Sequence, residues 1–283
     1  NSAGWNSAVW FVASIAWALL LWGLPARASA DEQPVSIGVL PLQEPLRLIR
    51  QFEPIAAQLA GQFGKPVLVR SRETLADFIE ALDQGDFEVV VTVPHLAPRA
   101  QLRGDYQPIA QFVGTLRLVA VLPADSDLAG LAARPSLVVA VPDPLAMSAT
   151  AGERWLTASL PGTAYRLEAF QTYGNVARAV MRGEADIGFV STLIENGLTP
   201  EARAALQIVD LDVPIPQLVL LCRRSASTEL CSQTAQVLQT FACGQQGLEF
   251  FRNAGLGGLQ LISDLPDLGP IPRHWERLRV EAP

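Results

Sequence analysis

Charged residues and histidines are scarce in this chain of 283 residues. Asp, Glu, Lys and Arg make up 17% of it, and its two histidines are His95 and His274. The patterns H-E-x-x-H, G-x-S-x-G, G-x-x-x-x-G-K-[ST] and G-x-G-x-x-G do not occur. No cluster of metal-ligand type and no nucleophile–base set stands out. We therefore predict a protein that is not an enzyme and needs no metal ion or cofactor.

An excess of basic residues is also lacking. Lys and Arg number 21 against 28 Asp and Glu, which gives a formal net charge of −7. Nucleic-acid binding needs a basic footprint, so we expect no nucleic-acid partner. With 49% hydrophobic residues the chain has enough apolar surface for substantial cores, which argues against a disordered protein.

One long apolar run is present, at residues 9–24, and it precedes Ala28-Ser29-Ala30. Small residues at positions −3 and −1 of a cleavage site are typical of secretory signal peptides. We predict that residues 1–30 are a signal peptide, that cleavage follows Ala30, and that the mature protein is periplasmic. The alternative is an uncleaved membrane anchor, since the run is nearly long enough to span a bilayer.

Three cysteines, Cys222, Cys231 and Cys243, leave one unpaired if any two form a disulfide. Cys231 and Cys243 are expected at opposite ends of one helix, too far apart to bridge. Cys222 lies at a predicted strand end, from which it reaches Cys231. Two interpretations stay open here: a Cys222–Cys231 disulfide, or three buried thiols.

Short apolar runs alternate with amphipathic stripes along the chain. Each run has strand length, and each stripe has apolar residues at helical spacing. Thr74 and Gly85 are the predicted start and stop of one helix. Pro54 should kink or restart another. The alternation predicts an α/β fold. The predicted strands are residues 36–40, 66–70, 87–93, 115–122, 136–141, 165–170, 185–191 and 217–222.

Four segments in this order resemble one family. They are F-E-P-I-A-A-Q-L at 52–59, L-D-Q-G-D-F-E at 82–88 followed by Pro94-His95, G-E-A-D-I-G at 183–188, and P-I-P at 214–216. From about residue 36 to 255 the chain resembles the phosphate/phosphite/phosphonate-binding proteins of ABC transporters. The resemblance implies a two-lobed periplasmic-binding-protein fold of type 2, each lobe a mixed, mostly parallel sheet flanked by helices. Residues 31–121 would form the first part of lobe 1, 122–211 lobe 2, and 212–283 the return to lobe 1.

That family implies a function. Its members capture a small oxyanion, such as a phosphonate, phosphite or phosphate, in the cleft between the lobes. The expected partners are this small-molecule ligand and an ABC permease, with the binding protein as a monomer. The alternative is a periplasmic ligand-sensing partner of a membrane histidine kinase or receptor.

A predicted helix start gives a physical reason for an anion site. Thr150 and Glu153 have capping-box spacing after the strand 136–141, and a helix N-terminus offers free N–H groups to an anion. Ser148 and Thr150 would add hydroxyls, and Gly152 would let a ligand approach the backbone. The alternative is that Thr150 only caps its helix.

The resemblance implies further ligand-binding residues. Thr92, Pro94 and His95 match the lobe 1 site loop, although His95 on the loop surface is an alternative. Tyr173 falls where relatives that bind aminophosphonates have a histidine. Asp186 matches the carboxylate that contacts the ligand's amine in those relatives; its alternative is a surface or capping carboxylate.

Overall fold

The computed structural model describes residues 33–41 and 43–266. The predicted signal peptide and its cleavage site lie outside them. Residues 34–41 and 43–266 belong to one compact unit. Within the described ranges no helix has the length and apolarity needed to cross a bilayer. The helices are α1 (Pro45–Phe63), α2 (Leu75–Gln84), α3 (Ala97–Arg103), α4 (Leu128–Ala132), α5 (Met147–Ser159), α6 (Tyr173–Met181), α7 (Pro200–Ala204), α8 (Thr228–Cys243) and α9 (Gln245–Ala254), with a 3₁₀ helix at Thr192–Gly197.

Eleven strands form two separate sheets in the described residues. The strands are β1 (Val35–Val39), β2 (Val67–Arg70), β3 (Val89–Thr92), β4 (Tyr106–Phe112), β5 (Thr115–Pro123), β6 (Leu137–Val141), β7 (Tyr165–Ala169), β8 (Ile187–Ser191), β9 (Leu206–Pro216), β10 (Val219–Arg223) and β11 (Leu259–Leu261). The first sheet has the order β11-β4-β10-β3-β1-β2, and the second β7-β6-β8-β5-β9. The predicted α/β fold with two sheets is confirmed.

Both sheets are mixed. β1 is parallel to β2 and β3, and β6 is parallel to β7 and β8. The remaining pairs, around β10, β4 and β5, are antiparallel and slightly outnumber the parallel ones. The parallel content is lower than expected because the chain crosses between the sheets twice. It leaves the first sheet between β4 and β5 and returns between β9 and β10, and β5 pairs with β9.

Local signals set some helix ends and not others. Thr74 caps α2 by accepting a hydrogen bond from the Asp77 N–H at 3.1 Å, and Gly85 ends it with φ 68°. Both predictions are confirmed. Pro54 lies inside α1, which continues through it without a restart.

The helix predicted to begin at Thr150 begins at Met147. The Asp143 carboxylate accepts a hydrogen bond from the Leu145 N–H at 2.7 Å, a turn that starts the helix three residues early. The Thr150 N–H is accordingly bonded to the carbonyl of Ala146, and no capping box forms. The prediction was wrong because this turn precedes the Thr150–Glu153 pair.

Gly152 is required by packing. A Cβ built on Gly152 in α5 would lie 2.1 Å from the Phe189 ring on β8, so the helix approaches the sheet there at a distance that only glycine allows. Phe189 in turn is fully buried and meets Trp155 edge-on, with ring centroids 6.1 Å apart. This contact is part of a continuous hydrophobic cluster that includes buried residues of both sheets.

The open question about the cysteines is answered by a disulfide. Cys222 at the end of β10 bonds Cys231 at the start of α8, with Cα atoms 5.7 Å apart. Cys243, at the far end of α8, is an exposed free thiol. The bond ties the last helical layer to the first sheet, and disulfides of this kind persist in oxidising compartments.

We predict that Gly152→Ala lowers the free energy of unfolding by about 1–3 kcal/mol, because the added methyl group overpacks the Phe189 ring. Gly61→Ala is the matched control. Gly61 is also helical but has nothing within 4 Å of its would-be Cβ, so alanine should stabilise α1 by about 0.5–1 kcal/mol. Urea unfolding of both variants measures this, and equal effects would contradict the close approach.

Replacing both Cys222 and Cys231 by alanine should lower the free energy of unfolding by about 2–3 kcal/mol. The disulfide closes a loop between cysteines nine positions apart, and without it the unfolded chain gains conformational entropy. Cys243→Ala should leave stability within about 0.5 kcal/mol of the parent. Thermal unfolding with and without a reductant is the measurement. The reductant should lower the melting temperature of the parent and not that of the double variant.

Candidate functional site

A buried cavity lies between the two sheets, where the carboxyl ends of parallel strands meet helix starts. Ligands of open α/β sheets bind at this edge. Leu40 follows β1, His95 follows β3, Met147 follows β6, Tyr173 follows β7, and Ser191 ends β8. The lining residues are Leu40, Leu75, Val93, His95, Leu116, Leu118, Ala146, Met147, Tyr173, Ser191, Ile215 and Leu218.

Two helix N-termini reach this cavity. Ala146 is the N-cap of α5 and makes no side-chain cap bond, while Tyr173 is the first residue of α6 after its N-cap, Thr172. The first N–H groups of each helix have no partner within it, and the dipole places partial positive charge there. Both helices are long enough to carry this dipole, so the cavity is favourable for a negatively charged or hydrogen-bond-accepting group.

Three buried hydroxyls add hydrogen-bonding capacity. Thr92 Oγ1, Ser148 Oγ and Ser191 Oγ have no hydrogen-bond partner in the part of the chain that the structure describes. Burial raises the pKa of the Tyr173 phenol. The hydroxyls of Ser191 and Ser148 lie near enough to oppose that rise, although neither makes a hydrogen bond of ordinary geometry with it. Leaving buried polar groups unsatisfied costs about 1–3 kcal/mol each, which a bound ligand would recover.

His95 is 3% exposed, and its burial lowers its pKa from 6.5 to about 3. The imidazole is therefore neutral near pH 7. A neutral ring carries no charge to attract an anion, so the interaction that it can offer is a hydrogen bond.

The rest of the cavity is apolar and small. Nine of the twelve lining residues are aliphatic or Met, and none is Asp, Glu, Lys or Arg. The enclosed volume is about 20 Å³, room for roughly one water molecule. A larger ligand therefore enters only if the walls separate. No group of three potential metal ligands occurs among residues 33–41 and 43–266.

A wider pocket of about 320 Å³ adjoins this cavity and shares Tyr173 with it. At its edge the Glu44 carboxylate, just before α1, lies 3.4 Å from both Arg178 Nη2 and Thr172 Oγ1 at the start of α6. These contacts join the helix over the first sheet to a helix over the second. The side chains of Glu44 and Arg178 are about half exposed, so the pair is weak and can open.

The predicted site residues fall into two groups. His95 and Tyr173 line the cavity, and Ser148 is fully buried beside the Tyr173 phenol. Thr92 and Pro94 are buried on either side of Val93, which lines it. The structure thus brings these five positions together at one place.

Thr150 and Gly152 are not among the lining residues. Thr150 is buried in the first turn of α5, and Gly152 lies against Phe189. Gly152 was expected to let a ligand approach the backbone, and it is instead the Phe189 ring that packs against it.

Asp186 is also away from the cavity. It precedes β8, whereas Ser191 at the other end of that strand lines the cavity, about 16 Å away at 3.3 Å per residue. The Asp186 carboxylate pairs with Arg134 and accepts a hydrogen bond from the Val138 N–H at 2.7 Å. The prediction that Asp186 binds the ligand was wrong. Its carboxylate links β8 to β6 at the end of these strands that is opposite to the cavity.

Sequence reasoning missed Ser191 and most of the apolar wall. Ser191 is the last residue of a predicted buried strand, and a polar residue at a strand's carboxyl end is the signal that indicates it. Leu116 and Leu118 on β5 have the alternation of an ordinary strand, which does not separate a cavity wall from a core.

Solved structures with this fold include transport proteins. A binding protein component of an ABC phosphonate transporter from Pseudomonas aeruginosa is 17% identical over 83% of each chain, with a TM-score of 0.68. PhnD1 from Prochlorococcus marinus, in complex with methylphosphonate, is 13% identical over 82% of this chain and 94% of its own, with a TM-score of 0.67. The BvgS VFT2 domain of Bordetella pertussis is 18% identical over 80% of this chain and 94% of its own, with a TM-score of 0.51. At these identities the likeness shows the fold.

Among proteins with curated annotation, none matches the sequence of this chain. The sequence model of one family does, over residues 37–265; it is described as ABC transporter, phosphonate, periplasmic substrate-binding protein. That range includes both sheets, apart from the first two residues of β1, and all twelve residues of the cavity. The chain belongs to this family of periplasmic substrate-binding proteins.

Proposed function

We propose that this protein captures a small solute in the cavity between its two sheets and delivers it to an ABC permease. The observation that carries the proposal is the meeting of two helix N-termini at one small cavity, with the buried, unsatisfied hydroxyl of Ser191 in its wall and that of Ser148 beside the Tyr173 phenol. Such groups cost free energy until a ligand satisfies them. Family membership supports transport as the purpose of the capture.

An oxyanion is the head group that these polar residues suit best. Helix N–H groups and the hydroxyls of Ser148, Ser191 and Tyr173 donate hydrogen bonds, and an oxyanion offers acceptors for them. Because none of the described residues that line the cavity is basic, the helix dipoles and hydroxyls hold the negative charge. A phosphonate head is consistent with the family and with the methylphosphonate complex of the Prochlorococcus relative.

Entry requires the two sheets to separate. The closed cavity holds about one water, and the Glu44–Arg178 pair lies where the two halves meet. The chain passes between the sheets just before β5 and just after β9, so bending at these two crossings opens the cavity without breaking either core. Closure around the solute then presents a distinct shape to a permease.

Ligand binding should raise the melting temperature of residues 31–283. A phosphonate at one hundred times its Kd adds about 2.7 kcal/mol. Replacing Ser148 and Ser191 together by alanine should weaken binding at least tenfold, since each loses a hydrogen bond to a charged group. Ser232→Ala on the exposed face of α8 is the control. Titration calorimetry with alkylphosphonates, phosphite and sulfonates is the test; no binding by any of them would refute the proposed function.

Burial of His95 should make stability depend on pH. Its folded-state pKa of about 3 lies below the unfolded value of 6.5, so between these values only the unfolded chain takes up the proton. Stability should therefore fall as pH falls below about 6.5, with a loss of about 2 kcal/mol from this group at pH 5. In His95→Gln the loss of stability between pH 7 and pH 5 should be smaller by this amount. Urea unfolding at pH 7 and pH 5 measures it, and equal slopes would contradict a buried neutral imidazole.

A further inference from the structure

We infer that the solute has an aliphatic body and no amino group, so that the protein selects alkyl-substituted oxyanions over aminoalkyl ones and over inorganic phosphate. This inference rests on the proposed function, which supplies the oxyanion head, and it adds the chemistry of the rest of the ligand.

Most of the side chains that line the cavity with the polar groups are aliphatic. Leu116 and Leu118 come from β5, Ile215 from β9, and Leu218 from the position just before β10. Leu40 and Leu75 come from the side of the first sheet. All six are nearly fully buried and belong to the cluster that joins both cores. When a ligand separates them, an alkyl group restores the apolar contact that is lost, at about fourfold in affinity for each buried methylene.

Among the described residues that line this cavity, an ammonium group finds no carboxylate as a counter-ion. Asp186, the carboxylate expected to bind an amine, is paired with Arg134 at the opposite edge of the second sheet. Glu44 at the edge of the adjoining pocket is paired with Arg178. The charge at the cavity itself is the partial positive charge of two helix N-termini, which repels a cation. A buried ammonium without a counter-ion is strongly disfavoured.

Inorganic phosphate is disfavoured for the complementary reason. Its oxygen atoms point in four directions, and those that face Leu118, Ile215 or Leu218 would be desolvated without a hydrogen bond. An alkylphosphonate turns its one carbon substituent toward that wall and its three oxygens toward the helix starts.

The sharpest test is a matched pair of ligands. Propylphosphonate and 2-aminoethylphosphonate have the same length and differ by a terminal methyl against an ammonium. Calorimetry on residues 31–283 should give propylphosphonate at least a tenfold lower Kd than 2-aminoethylphosphonate, and a lower Kd than inorganic phosphate. Equal or tighter binding of the aminophosphonate, or of phosphate, overturns the inference and leaves the proposed function standing.

Sulfonate and carboxylate pairs keep the test decisive if the head is not a phosphonate. Propanesulfonate against 2-aminoethanesulfonate, and pentanoate against 4-aminobutyrate, make the same methyl-to-ammonium comparison. Preference for the alkyl member in whichever pair binds supports the inference. If all three pairs fail to bind while phosphite or phosphate binds, the inference is overturned and the proposed function stands. If phosphite and phosphate also fail to bind, the proposed function is refuted and the inference falls with it.

A substitution should reverse the preference. Leu75 is the first residue of α2, where the helix dipole favours a carboxylate and partly offsets the cost of burying it in the apolar wall, so Leu75→Asp places a negative charge at the cavity at some loss of stability. We expect it to bind 2-aminoethylphosphonate more tightly than propylphosphonate. Leu128→Asp, at the first residue of the distant α4, is the control and should keep the preference of the parent. An unchanged preference in Leu75→Asp would contradict the position assigned to the alkyl group.

Discussion

Burial of the interface between the two sheets is the constraint on which the site depends. Leu118, Met147 and Leu218 belong to the same hydrophobic cluster as the cores of both sheets. A solute that enters this interface breaks apolar contacts, and it must replace them to bind well. The hydroxyls of Ser148 and Ser191 are buried in the same place, so the solute must also supply hydrogen-bonding groups. The two demands together describe a ligand with a polar end and an apolar end.

Several of the few charged side chains pair with one another around the sheets, and these do not line the cavity. Arginine side chains pair with carboxylates around the sheets: Arg99 with Asp83 at 2.6 Å, Arg223 with Glu88 at 3.5 Å, and Arg134 with Asp186. The cavity that we assign to an anion is lined by none of these groups. Net charge of the chain is −7, so attraction over a distance does not favour an anion. Selection must come from short-range hydrogen bonds and dipoles inside the cavity.

Sequence patterns predicted those features whose causes are local. Thr74 and Asp77 form their cap within one helical turn. The run of buried valines predicts β3 independently of the strands that pair with it. Asp186 is different, because its role depends on which end of β8 faces the other sheet. A sequence places a carboxylate at a strand start but does not fix the partner across the sheet, and the nearby Arg134 is 52 positions earlier in the chain. The prediction of where α5 begins was wrong for a related reason: the turn at Asp143 starts the helix before the capping-box pair Thr150 and Glu153 is reached.

The apolar half of the site is the part that sequence patterns are least able to reveal. Polar residues at strand ends stand out because they interrupt an apolar run, as Thr92 and Ser191 do. Leu116 and Leu118 interrupt nothing: a leucine that lines a cavity and one that fills a core have the same spacing and the same burial. Motifs therefore indicate the head group of a ligand. The body of the ligand can be inferred only from the folded structure, which brings two distant strands and two helix starts together. In this chain that arrangement places aliphatic side chains where an amine would need a carboxylate.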